Sequence, residues 1–205
     1  MPKAVLFVWF FLLSLTSIGQ ETFTLKYFGM TIHPFGDRTA NLQPYKLDKN
    51  ARFVANFGGF VGYEKFVFKE LISVKFIQGV FTDCSAGWQS VTHLGVRGLM
   101  YENSKYRAYL AVGPTFIVRE SWTRFGEEYN SSGYFKVKTT DRLGVIQQKL
   151  VWYGMEMELD RIIDENNSVS LSFTPGIPMA VVFSIGWKHW FNRGEFNYDR
   201  PVTPR

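Results

Sequence analysis

Asp83, Cys84 and Ser85 stand side by side in a short polar break between two long strand-like runs, 66–81 and 88–101, and bring together an acid, the chain's only cysteine and a hydroxyl. A thiol or hydroxyl becomes a nucleophile when a base removes its proton. His33, at the end of another strand-like run, is the base most readily brought to it. In that reading His33 is the general base, Asp83 orients it or polarises the nucleophile, and Cys84 or Ser85 attacks or positions the substrate. Strand parity puts Asp83 and Ser85 on one side and Cys84 on the other if the strand stays regular.

The elements that would carry these residues alternate apolar and polar side chains with a period of two. Thr22–His33 reads as a first strand, with Phe28, Met30 and Ile32 opposite Gly29, Thr31 and His33. Ala51–Tyr63 is a second, broken at Gly58-Gly59. Glu64-Lys65 reads as a tight turn into Phe66–Phe81, and the fourth strand is Trp88–Tyr101. After the turn Glu102-Asn103-Ser104 comes Lys105–Arg119, and then Gln147–Arg161, with Trp152, Gly154, Glu156 and Glu158 on its polar face. Ser168–Thr174 and Met179–Phe191 follow, separated by the Pro175–Pro178 break. Long connections at 34–50 and 120–146 alternate with tight turns. Eight strands in this pattern predict an all-β fold, an eight-stranded antiparallel up-and-down transmembrane β-barrel in the bacterial outer membrane. A soluble lipocalin-like barrel also has eight strands, but the apolar faces here oppose strongly polar ones, which fits lipid outside and a polar lumen within.

Composition agrees with that class. The 205 residues suffice for one sizeable domain, aromatics make up 18%, and twenty Phe accompany eighteen Gly. The charged start, apolar run and small-residue exit of residues 1–19 read as a signal peptide, leaving a barrel over 20–191 and a tail over 192–205. A single cysteine in an exported chain makes no internal disulfide. The net charge of +5 is too small to argue nucleic-acid binding. His-rich, CxxC and Gly-rich phosphate motifs are absent, so no metal, no cofactor and no nucleotide is expected. The chain is expected to work as a monomer embedded in the membrane.

Strands running toward the long-loop end carry His33, Asp83 with Cys84 and Ser85, Arg119 and Thr174 to one rim. Arg97, Arg107, Glu156, Glu158 and Lys188 fall toward the opposite end, where buried charges must pair and would plug the lower lumen. Above them Gly29, Gly95, Gly113, Thr115 and Ala111 leave room for a narrow cavity able to take an acyl chain. His93 and His189 read as structural, and Trp122, Trp187 and Trp190 as interfacial anchors.

Thr31-Ile32-His33, Phe81-Thr82-Asp83-Cys84 with Trp88, Arg119-Glu120-Ser121-Trp122, Phe173-Thr174-Pro175-Gly176 and Phe183-Ser184-Ile185-Gly186-Trp187 together resemble the outer-membrane lipid A palmitoyltransferases of the PagP type. The resemblance implies an acyltransferase moving a fatty acyl chain from a phospholipid to lipid A, with Cys84 where the family has a serine and Arg119, Gly29, Gly113 and Thr115 in substrate binding. The family's amphipathic helix before the first strand has no counterpart after Gln20. A non-catalytic small barrel for adhesion or envelope stability is the alternative of a different class, and a lipid A deacylase a third.

Overall fold

The computed structural model describes residues 20–125, 146–177 and 180–191. The signal peptide and tail read from the sequence lie outside these residues. Strands β1 (Glu21–Ile32), β3 (Gly58–Phe68), β4 (Ile72–Thr82), β5 (Trp88–Glu102), β6 (Tyr106–Glu120), β7 (Ile146–Ile162), β8 (Asn167–Ile177) and β9 (Ala180–Phe191) form the wall, and the short β2 (Phe53–Ala55) pairs beside the end of β1. Every pairing is antiparallel, each wall strand beside the next in the chain, with β2 set to one side of β1, and β1 closes on β9 from Glu21↔Phe191 to Ile32↔Val181. The fold is therefore a closed eight-stranded antiparallel barrel.

Alternation sets the two faces. Phe23, Leu25, Tyr27, Val61, Phe76, Leu94, Val96, Met157 and Ile185 are exposed on the outside, whereas Thr22, Thr24, Lys26, Glu64, Lys75, Arg97, Glu158 and Lys188 are buried within. An apolar exterior around a polar interior is the reverse of a water-soluble barrel. Closure pairs backbone groups strand to strand around most of the wall, as hydrocarbon demands. This is a barrel of the bacterial outer membrane, with its long connections at one end and tight turns at the other.

Three details depart from the sequence reading. Glu64-Lys65 is not a turn: β3 runs on to Phe68, the reversal is at 69–71, and Glu64 lies fully buried in the lumen. Trp152 does not face inward. A register shift where Gly113 pairs with Gly154 but Thr115 with Val151 leaves an extra residue on β7, so Trp152 and Tyr153, 73% and 77% exposed, both point outward. The Pro175 break lies inside β8, because Pro175 still pairs with Val181.

The lower lumen holds one ion-pair network to which every wall strand contributes. Glu158 of β7 meets Lys26 of β1, Lys75 of β4 at 2.6 Å, Arg97 of β5 and Lys188 of β9. Glu156 meets Lys75 at 2.7 Å and Lys26 at 3.0 Å, Glu64 of β3 pairs with Arg97, and Lys188 reaches Asp160 at 2.5 Å. Tyr109 of β6 lies under the Arg97 guanidinium at 3.5 Å, and the Ser172 hydroxyl of β8 donates to Glu156 at 2.9 Å. The sequence had placed Arg97, Glu156, Glu158 and Lys188 here; Lys26, Glu64, Lys75 and Asp160 complete the set. Four cations thus face four carboxylates, so this network balances its own charge. Below it Trp190 stacks on Phe66 at 5.3 Å, and Arg107 pairs with Glu70 at 2.7 Å and Glu102 at 2.8 Å. Trp190 is therefore a lumen residue and not an interfacial anchor.

Removing the hub should be costly, because each cation loses a partner it cannot replace with water. Glu158→Ala is expected to lower stability by about 3–5 kcal/mol, read as a drop in the urea midpoint of the protein folded in lipid vesicles.

Candidate functional site

His33 reaches the interior because of a bulge. The β1–β9 register shifts between Phe28 and Met30, so the inward set changes from Thr22, Thr24 and Lys26 to Thr31 and His33. Without that extra residue the imidazole would point at lipid. Its Nδ1 lies 2.9 Å from the Ala51 carbonyl, which can only accept, so Nδ1 carries a proton. Its Nε2 faces Cys84 Sγ at 3.9 Å and Asp37 Oδ2 at 3.8 Å.

Asp83 sits across from this histidine but works elsewhere. Residues 83–87 form a tight turn, closed by Asp83 N–H donating to the Gly87 carbonyl at 2.7 Å, with Ala86 in the left-handed region at φ 62°. Asp83 Oδ1 accepts from Ser85 N, Ser85 Oγ and Gly87 N at 2.8–2.9 Å, and Oδ2 accepts from the Trp122 indole at 2.6 Å. Both carboxylate oxygens are thereby committed to the turn and to Trp122 at the start of the connection that follows β6. The Ser85 hydroxyl donates to the same carboxylate. Trp122 is buried in this rim cluster, not an interfacial anchor, and the Arg119 guanidinium stacks over its ring at 4.9 Å while Nε donates to Gln147 at 2.9 Å.

The rim therefore brings His33 and Cys84 together, and keeps Asp83 and Ser85 paired with each other. A nucleophilic cysteine needs a thiolate, and here the environment opposes one. Removal from water and then the neighbouring Asp83 charge push the Cys84 thiol up to about 12.

The expected acyl cavity is small. A space of about 40 Å³ lies above the ion-pair network, lined by Lys26, Lys75, His93, Thr115, Met155 and Thr174. That volume holds a few waters, whereas sites for drug-sized ligands run to roughly 300 Å³ and more. Thr115 Oγ1 is taken by His93 Nδ1 at 2.7 Å, consistent with a structural His93. Gly113 marks a close approach of strands, since a Cβ there would run into the backbone of Leu94 and Gly95. Gly29 occupies the bulge that turns His33 inward, and its carbonyl accepts from Asn56 N–H at 3.2 Å.

Asn56 is the residue that sequence reasoning missed. Buried where the chain steps from β2 to β3, it accepts from Thr31 Oγ1 at 2.8 Å and donates to the Thr82 carbonyl at 2.8 Å, tying the strand of His33 to the strand of Asp83. A polar residue just ahead of the Gly58-Gly59 break was its only signal.

No family model and no curated protein matches the chain. Solved structures similar to it include Ail, the attachment invasion locus protein of Yersinia pestis, at 14% identity and TM-score 0.47, covering 84% of this chain and 99% of Ail. They also include the N-terminal β-barrel domain of Pseudomonas aeruginosa OprF, at 13% identity and TM-score 0.46, covering 84% and 99%. A de novo designed transmembrane β-barrel matches at 7% identity and TM-score 0.42, covering 84% and 95%. At these values the likenesses carry no functional argument. The resemblance to palmitoyltransferases is nevertheless corrected: the structures matched are Ail-type and OprF-type barrels. The motif that suggested it has a plain structural use here, because Asp83 and Ser85 hold a turn.

The thiol should behave accordingly. Alkylation of Cys84 by iodoacetamide in the folded protein is expected to show no inflection near neutral pH and to accelerate only as pH climbs toward 12, since the thiolate forms only there; a rate plateau below pH 8 would mean an activated thiol.

Proposed function

We propose that the chain is a non-catalytic small outer-membrane barrel whose work is mechanical, stabilising the envelope in which it sits. The observation that carries this reading is the ion-pair network linking six of the eight wall strands across the lumen, from Lys26 and Lys75 to Glu158 and Lys188, with Tyr109 of β6 and Ser172 of β8 held against it. It obstructs passage of solutes, and with the small space above it leaves little room for a substrate. The rim supports the same reading, because Asp83 is committed to its turn and the Cys84 thiol is held protonated.

A second reading rests on one specific observation. The β7–β8 ladder runs only from Met157↔Phe173 to Ile162↔Ser168, although β7 begins at Ile146 and β8 continues to Ile177. The space above the network is lined by Met155 and Glu156 of β7 and Thr174 of β8, just beyond the end of this ladder. A lipid tail entering there would approach the lumen below His33 and Cys84. Acyl transfer between phospholipid and lipid A, with His33 as base and Cys84 as nucleophile, is the chemistry that such access would serve.

The two readings separate in one measurement. Mass spectrometry of lipid A and phospholipids from cells with and without the gene should show unchanged acyl inventories. A gain of one acyl chain on lipid A, lost again in His33→Ala, would replace the mechanical reading by transfer, and a loss of one chain would replace it by deacylation.

A further inference from the structure

The first long connection, residues 33–52, pins its acids by hydrogen bonds within the loop and leaves its cations exposed. Asp37 accepts from Thr39 N at 2.8 Å, Thr39 Oγ1 at 2.7 Å and Gln43 Nε2 at 2.8 Å, all within the loop. Asp48 accepts from Phe53 N at 3.0 Å and Asn50 N at 3.1 Å, and these backbone donors, Phe53 first, hold its carboxyl below the usual carboxylate range. Both carboxylates serve as internal pins. Arg38, Lys46, Lys49 and Arg52 are instead exposed; the Arg52 charge helps hold the Asp48 carboxylate, but none of the four lies within ion-pair distance of a described carboxylate. Lys46 donates to the neutral Ala40 carbonyl at 2.8 Å.

The loop is also preorganised and partly apolar. Leu47 N–H donates to Phe53 O at 2.8 Å and Ala55 N–H to Tyr45 O at 3.0 Å, which adds residues 45–47 to the sheet beside β2. Tyr45 packs edge-on against Phe57 with centroids 5.2 Å apart. Between the cations stand Phe35, 86% exposed, and Leu47, 66% exposed, with Phe53 exposed on the outward side of β2. Cations interleaved with exposed apolar side chains beside the apolar wall suit a membrane interface, where the charges meet headgroups and the rings meet the acyl boundary. The loop is at the long-connection end, which in an outer-membrane barrel faces the outer leaflet.

We propose that this loop is a docking surface for the phosphate groups of the phosphorylated glycolipid in the outer leaflet, with Arg38, Lys46, Lys49 and Arg52 as the phosphate-facing cations. It rests on the outer-membrane location, and holds whether the lumen is inert or catalytic. Because the pins already fix the loop, binding orders little more than the four side chains themselves. A water-soluble polyanion is the other source of the same chemistry, but the exposed Phe35, Leu47 and Phe53 have no role in binding one.

The test uses the full chain folded in zwitterionic detergent micelles, titrated with bis-phosphorylated lipid A or with the same lipid after phosphatase treatment, and bound lipid is counted by native mass spectrometry. The phosphorylated lipid is expected to bind at least about tenfold more tightly, with affinity falling as salt rises. Changing Arg38→Gln, Lys46→Gln, Lys49→Gln and Arg52→Gln together should abolish that preference while the unheated protein keeps its folded mobility on a gel; the variant Phe35→Ser should weaken both lipids alike. Equal binding of the two lipids, or an unchanged preference in a folded quadruple variant, overturns the proposal. Displacement of the lipid by equimolar sulfated oligosaccharide would assign the cations to a soluble polyanion and overturn it as well.

Discussion

Glu158 is the carboxylate around which the interior is assembled. Four cations converge on it from β1, β4, β5 and β9, and burial of that many charges is tolerable only because each has partners on both sides. The consequence for the wall is geometric. A barrel closes by backbone hydrogen bonds between neighbouring strands, but those bonds alone do not oppose shear of the strands far apart on the circumference. The ion pairs act across the lumen and fix such strands to one another. The same network fills the lower lumen with paired charge, which supports the mechanical reading proposed above.

Local irregularities then decide which side chains join that interior. The bulge at Phe28–Met30 turns His33 inward, and the bulge opposite Thr115 turns both Trp152 and Tyr153 toward lipid. Asn56 repairs the interruption between β2 and β3 with side-chain bonds in place of ladder bonds. These features cost backbone regularity at the rim, and the rim is also where the polar turn 83–87 and the first long loop are built. A more regular barrel would hold the same apolar band but a different rim.

Much of the fold was legible in the sequence, because a wall facing lipid on one side and charge on the other imposes a strict period of two. Trp88–Tyr101, Lys105–Arg119 and Gln147–Arg161 were expected within a residue of the strands β5, β6 and β7. Glu64-Lys65 was misread for a physical reason: a charged pair between Phe-rich runs has the polarity of a turn, and only the partner Arg97 on a distant strand shows that Glu64 belongs inside. Trp152 was misplaced because parity counting fails across an extra residue. At the candidate site the convergence of His33 with Cys84 followed from strand direction, whereas the division of labour did not. Nothing local distinguishes an aspartate that orients a histidine from one that caps its own turn, and Asp83 does the latter.

The central claim is that the lumen is closed by paired charge, and ion conductance tests it most directly. The full chain reconstituted into a planar lipid bilayer and held under an applied voltage should give no stable unitary current at neutral pH. Discrete, long-lived conductance steps that scale with protein added would mean that ions pass the Glu158 network, and would contradict the account.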